Sequence, residues 1–288
     1  MAVGSTTYKV SNTLVPSHGS AMRWFQNRWL CWGVGPILAL ILGTLAPSAI
    51  LEFLLYRKWR KHKAIEYKKD GVRTRAEMIS KTRDSVPFNR QVRFALWTIL
   101  GPPAVLTSIF MSLLFPKIVG TPRRPRPSMK SFLAEFVGMY LIGDFFLYWG
   151  HRVQHEITWL WVNCHKLHHT LETPTPMGTM YIDQLDAFLQ AGLPTFIAAC
   201  VARPHPISLY ILVWAGNLEH VMNHSGLDDK ILNILTWRWL PFRGSISHHD
   251  YHHKFCGREG NVRNFGEGLW LWDWMFGTLA KTHCQVKG

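Results

Sequence analysis

Residues 132–155 read FLAEFVGMYLIGDFFLYWGHRVQH. An apolar run from Phe132 to Trp149, interrupted only by the acids Glu135 and Asp144, leads straight into His151 and His155. Residues four apart share one face of a helix. The stretch therefore joins an apolar segment of near-span length to a pair of imidazoles that can aim at one point. An unpaired charge inside such a segment is costly, so Asp144 is expected to have a partner.

The same spacing recurs downstream in three more groups. They are His165, His168 and His169, then His220 and His224, then His249, His252 and His253. Twelve of the fifteen histidines fall between 151 and 253, which makes chance pairing a poor account of the pattern. A lone histidine is ordinarily a packed or surface residue, and that reading holds for His18, His62, His205 and His283. His248 adjoins a group but falls outside its spacing. Neutral imidazole suits iron, zinc, copper or nickel. Ten such ligands are too many for one ion and about right for two.

Outward from this window the chain is segregated into apolar and basic stretches. Leu30–Leu51 and Phe94–Phe115 each run 22 residues without a charge. Each can cross a hydrocarbon core of about 30 Å as a helix. Residues 187–202 and 206–222 form two shorter apolar stretches around Ala202, Arg203 and Pro204, and read as a helical hairpin ending at His220 and His224. Between the first two spans, Arg57–Arg90 holds 12 Lys or Arg against 4 acids. Basic flanks mark the cytoplasmic side of a span and meet anionic lipid headgroups. On that topology His151 emerges into the cytoplasm, and a hairpin returns the His220 group to the same side. The loop 117–130, with Lys117, Arg123, Arg124, Arg126 and Lys130, disagrees, because it is then placed outside. The first two spans could instead form a hairpin that does not cross fully.

The expected fold is all-α: an integral membrane bundle of about four transmembrane helices, with a histidine-rich helical metal domain. The expected division is a polar tail over 1–28, spans and basic segment over 29–128, a catalytic domain over 129–280, and a tail over 281–288. The net charge of +14 is concentrated beside the first span and comes with no nucleic-acid-binding motif, so no nucleic-acid partner is expected. The five cysteines are scattered and contain no C-x2-C pair, which argues against a disulfide scaffold or a thiolate zinc site. Cys164 precedes His165 and could approach the metals, though a small buried residue is the plainer reading. The first apolar stretch is too long for a cleavable signal and is expected to stay as an anchor.

The ligand set is almost pure nitrogen. Soluble di-iron bundles use Glu ligands and Glu-x-x-His pairs, and none occurs here. Structural zinc sites need only four ligands. Ten histidines beside apolar spans suit two redox metals that activate dioxygen. Such a site stays cationic, and carboxylates often hold the second nitrogen of a bound histidine. Asp144, Glu156, Asp183, Glu219 and Asp250 are candidates, Asp144 and Asp250 foremost. Trp149, Trp159, Trp161, Trp270, Trp272 and Trp274 could line a lipid entrance or form an interfacial belt.

The chain resembles the fatty acid hydroxylase and sterol desaturase superfamily of membrane di-iron enzymes. The resemblance rests on DFFLYWGHRVQH (144–155), HKLHH (165–169), NHSG (223–226) and HHDYHH (248–253), with NFG (264–266) and WDWMFGT (272–278) in a closing pattern. It covers roughly residues 130–280. It implies a cytosolic histidine domain capping the spans and two iron ions held by His151, His155, His165, His168, His169, His220, His224, His249, His252 and His253. It also implies O2 as oxidant and electrons from NAD(P)H through a separate reductase and cytochrome b5. The reaction implied is hydroxylation or desaturation of an unactivated C–H of a lipid, sterol or terpenoid-like substrate, at an endoplasmic reticulum membrane. The HHDYHH form resembles C-4 sterol methyl oxidases and sterol 25-hydroxylases more than fatty acid 2-hydroxylases. A histidine-rich metal transporter is the competing class, but it would carry its ionisable residues within the spans and often repeated helices, whereas here the histidines follow the spans and no repeat is visible.

Overall fold

The computed structural model describes residues 20–56, 86–120, 122, 126–227, 229–255 and 262–280. Most of the basic segment, the tail 281–288, His18, His62, His283, Cys256 and Cys284 lie outside the described residues. Among those described, regular structure is helical apart from isolated bridge residues, among them the antiparallel pair Arg243 and Leu269. In chain order the helices are α1 (Ser20–Gln26), α2 (Gly35–Tyr56), α3 (Phe88–Leu100), α4 (Pro102–Ile118), α5 (Met129–Glu156) and α6 (Thr158–Asn163). There follow α7 (Gln184–Ala187), α8 (Leu193–Ala202), α9 (Pro206–Asn223), α10 (Lys230–Leu235), α11 (Ile246–Phe255) and α12 (Leu271–Met275). A π turn over Trp29–Val34 leads into α2, and another over Phe188–Gly192 joins α7 to α8.

Four stretches are long and apolar enough to cross a membrane: Trp29–Phe53, Phe88–Ile118, Met129–Glu156 and Gln184–Ala202. This agrees with the expected all-α bundle of about four spans. The second stretch is longer than its uncharged core and consists of two helices. Gly101 is extended, because Pro102 disfavours helical geometry in the residue before it. The two shorter apolar stretches form helices that part where expected: α8 ends on left-handed Arg203, and α9 restarts with Pro206 in its first turn; α8 packs along α5, whereas α9 packs chiefly along α2.

The span helices turn apolar side chains outward. Leu42, Ile50, Leu106, Phe110, Leu133 and Val137 are exposed, a surface that suits lipid rather than water. Polar side chains face inward instead. On α2, Thr44, Ser48 and Glu52 recur every four residues on one buried face. Thr44 Oγ1 donates to Asn217 Oδ1 at 3.4 Å on α9. Ser48 Oγ donates to the Pro176 carbonyl at 3.0 Å, and Glu52 accepts from the Met177 amide at 3.3 Å. These bonds satisfy buried backbone and fix the 3-10 turn Pro176–Met180 that precedes Tyr181. At the far end of α5, a side chain at Gly150 would overlap the Leu189 carbonyl oxygen, so only glycine lets the π turn approach beside His151.

Candidate metal centre

Four elements converge beneath the bundle. The last turns of α5 carry His151 and His155; the 3-10 turn His165–Thr170 carries His165, His168 and His169. His224 caps the end of α9, and α11 carries His249, His252 and His253. Nine of the ten singled-out histidines gather into two buried groups. His151, His155, His165, His169 and His252 form the first; His168, His224, His249 and His253 form the second. Within each group one nitrogen per ring lies within 4.8 Å of all the others. Neighbours in sequence part company: His168 joins the second group and His169 the first, as do His253 and His252. The adjacent H-H pairs therefore tie the two groups together.

Neighbouring Nε2 atoms stand close. In the first group His155 Nε2 lies 3.0 Å from His165 Nε2 and 3.1 Å from His252 Nε2, which is 3.2 Å from His169 Nε2. In the second, His224 Nε2 lies 3.1 Å from His168 Nε2 and 3.3 Å from His249 Nε2, which is 3.1 Å from His253 Nε2. These cannot all be hydrogen bonds. Five Nδ1 atoms face fixed acceptors: His151 the Phe265 carbonyl at 2.8 Å, His165 the Asp186 carboxylate at 2.9 Å, and His168 the Tyr181 carbonyl at 3.4 Å. His224 faces the His220 carbonyl and His252 the Arg263 carbonyl, each at 2.7 Å. A carbonyl or carboxylate only accepts, so each of these rings carries its proton on Nδ1. In the neutral ring Nε2 then presents a bare lone pair. His168 and His224 thus aim two lone pairs at each other across 3.1 Å, which is repulsive unless a cation lies between.

The donor set fits such a cation. Two nitrogens about 2.1 Å from one ion and at right angles to each other are roughly 3.0 Å apart. Burial keeps the rings neutral, the form that ligates. His165 and His252 are pushed down to about 3 and His168 to about 4, chiefly by desolvation. Desolvation, reinforced by neighbouring imidazoles, also drives His169, His224, His249 and His253 well below the ordinary histidine value.

His220 stands apart from both groups. Its Nε2 lies 3.6 Å from Glu267, and its ring is partly exposed. His248 also stays outside, with Nε2 3.2 Å from Asp273. Cys164 is buried but belongs to neither group. Asp144 does not orient an imidazole. It accepts from the amides of Gly268 and Leu269 at 3.1 Å and from Trp272 Nε1 at 2.8 Å, so it anchors the closing loop. Glu156 pairs with Arg152, Asp183 caps α7, and Glu219 pairs with Arg243 at 2.5 Å. Asp250 is buried on α11. Of the tryptophans, Trp161 packs against His155 and His169 with ring centres 4.9 and 5.4 Å apart, while Trp159 and Trp274 face outward.

Asp186 is a carboxylate that does hold a ligand-group imidazole, that of His165. It is fully buried, and its other oxygen accepts from Gln190 at 2.5 Å. Replacing such a partner costs about 10–100-fold in metal affinity. Asp186→Ala is therefore expected to weaken metal retention by the His151 group by about that factor, and Asp186→Asn by less, since an amide oxygen still accepts from Nδ1–H. Competition of the purified protein against a graded chelator reads this directly; equal retention in wild type and Asp186→Ala would remove the orienting role.

Fold and site together define a helical protein of membrane-crossing build, with two adjoining imidazole groups suited to two metal ions. Residues 136–278 match the model of the fatty acid hydroxylase family, so this part of the chain carries a fatty acid hydroxylase domain. It is similar to methylsterol monooxygenase 2-2 of Arabidopsis thaliana, 32% identical over 157 residues, 54% of this chain and 55% of that protein. It is also similar to methylsterol monooxygenase 1-1 of the same plant, 29% identical over 166 residues, 57% of this chain and 52% of that protein. A third relative is very-long-chain aldehyde decarbonylase GL1-10 of Oryza sativa subsp. japonica, 29% identical over 154 residues, 54% of this chain and 49% of that protein. The chain spans about half the length of these relatives. No solved structure matches.

Proposed function

We propose that this protein is a membrane-bound, O2-dependent di-iron oxidoreductase that hydroxylates an unactivated C–H of a lipid, with a sterol as the favoured substrate class. The observation that carries the reading is the pairing of two imidazole groups, five and four strong, directly under apolar helices. A structural zinc ion needs four ligands and no second site. The methylsterol monooxygenase relatives support the sterol class. When bound, two irons would supply the reductive activation of dioxygen that the C–H bond requires.

The chain's own residues hold and orient. His151, His155, His165, His169 and His252 would hold one iron; His168, His224, His249 and His253 would hold the other. His220, the tenth histidine of the spacing pattern, lies outside both groups with its ring against Glu267, and would act through its backbone carbonyl on His224 Nδ1. Asp186 and the carbonyls of Phe265, Tyr181, His220 and Arg263 fix ring orientation through Nδ1. Trp161 and Phe265 pack against the first group and keep water from it. Electrons would come from NAD(P)H through a separate reductase and cytochrome b5, with the centre facing the cytosol at the endoplasmic reticulum.

Cells expressing wild type or His168→Ala, grown under 18O2, are the test, read by lipid mass spectrometry. A lipid carrying 18O only with wild type is the expected result and names the substrate class. A product two hydrogens lighter and free of label would replace hydroxylase with desaturase. No difference between the two lipid profiles would sink the oxygenase reading.

A further inference from the structure

Residues 230–242, KILNILTWRWLPF, belong to none of the four span-length stretches. Yet Ile231, Ile234, Leu235, Trp237, Trp239, Leu240 and Phe242 are all 40–69% exposed. Helix α10 buries no residue at all. Seven large apolar side chains exposed in one short segment make a surface that water would penalise. We propose that Lys230–Phe242 is a re-entrant lobe inserted in the bilayer beside α5, and that lipid acyl chains cover it.

Its position on α5 is the first support. The Trp237 ring packs edge-on to Phe136 with centres 5.8 Å apart, and Arg243 lies 5.3 Å over the Tyr140 ring. Phe136 and Tyr140 precede His151 by 15 and 11 residues, roughly 22 and 16 Å along the helix. The lobe therefore climbs a span-length helix away from the histidine groups, to a depth where that helix would meet hydrocarbon. On α5 the exposed residues Leu133, Val137 and Leu141 continue its apolar surface.

Its hydrogen bonding is the second. Irregular backbone tolerates membrane depth only when its polar groups are satisfied within the protein. Asp229 caps the amides of Ile231 and Leu232, and the amides of Asn233, Thr236, Trp237, Arg238 and Leu240 all find carbonyls within the segment or at its cap. The Phe242 carbonyl accepts from the Trp270 amide. The cation inside the lobe turns inward, Arg238 donating to Asn223 Oδ1 and to the Gly244 carbonyl. Lys230, exposed at the start of the lobe, can reach headgroup phosphate.

Backbone strain is the third. Trp237 and Phe242 adopt left-handed conformations, φ 55° and 64°, that bulky aromatic residues rarely take. Such strain persists only where the surroundings enforce it. Here it flanks Trp239 and Leu240, both turned outward.

The proposal stands apart from the reaction, so its test needs no substrate. The wild-type protein would be reconstituted in nanodiscs of phosphatidylcholine carrying a diazirine in the acyl chain, irradiated and digested with trypsin. Carbene adducts are expected on ILNILTWR (231–238) and WLPFR (239–243), as on the span peptide 94–117, and not on GSISHHDYHHK (244–254), whose ring-bearing residues are largely buried. Adducts on 94–117 without any on 231–243 would overturn the lobe. Equal labelling of 231–243 and 244–254 would do so too, since it would show reaction without regard to depth.

Discussion

His168→Ala should lose one of two bound metals and more than about 100-fold of turnover, beyond the 10–100-fold typical of residues that only orient a ligand. Its Nε2 faces His224 across 3.1 Å, and its loss leaves three imidazoles in the second group. Its neighbour His169 serves the first group, so the damage should spread through the 3-10 turn His165–Thr170. The apolar surfaces of the spans do not involve this ring, so the variant should still resist alkaline extraction from membranes. Metal analysis beside an extraction assay separates the two effects. Two metals and undiminished turnover in the variant would dissolve the second group as a site; loss of membrane retention would show a folding defect instead.

Much of this arrangement could be read from residue order. Uncharged runs announced two of the span-length helices and an apolar run with two acids a third, and Pro204 marked where the two shorter apolar stretches part. Helical spacing put His151 with His155, and His249 with His253 or His252, on common faces. Spacing could not say that adjacent histidines split between two groups, because that depends on the 3-10 geometry of residues 165–170 and on the way α11 lies against α5. Nor could spacing place His220, whose ring meets Glu267 from a loop 47 residues later in sequence. The acids were harder. Asp186 carries no sequence signal of its role, since it sits just ahead of the apolar run that starts at Ala187, yet it is buried at the head of the helix. Most imidazole partners are backbone carbonyls, and every residue has one, so no side-chain pattern can reveal them. The exposed face of residues 230–242 was hidden for a related reason: its apolar residues are too few to read as a span and too irregular to show a period.

The second large effect is on stability and concerns Asp144. Its two oxygens accept three hydrogen bonds, from the amides of Gly268 and Leu269 and from Trp272 Nε1. Asp144→Ala strands all three donors in a buried place. A stranded donor costs about 1–3 kcal/mol, so about 3 kcal/mol or more should be lost, against a total of about 5–15 kcal/mol for a typical domain. The Tm of the purified protein should fall on the order of 10 °C. The loop cannot simply close over the gap, because Gly268 already abuts Asp144 and Tyr140. Three and two residues before Gly268 the same loop donates two further hydrogen bonds: the Phe265 and Gly266 amides go to the Asp273 carboxylate at 2.8 Å, which fixes the Phe265 carbonyl against His151. Loss of the Asp144 anchor should therefore also loosen the first metal group. Asp144→Asn keeps one accepting oxygen and should fall between wild type and alanine in both Tm and metal retention. An alanine variant as stable as wild type would mean that water or a shifted side chain satisfies those donors, and that the closing loop does not depend on Asp144.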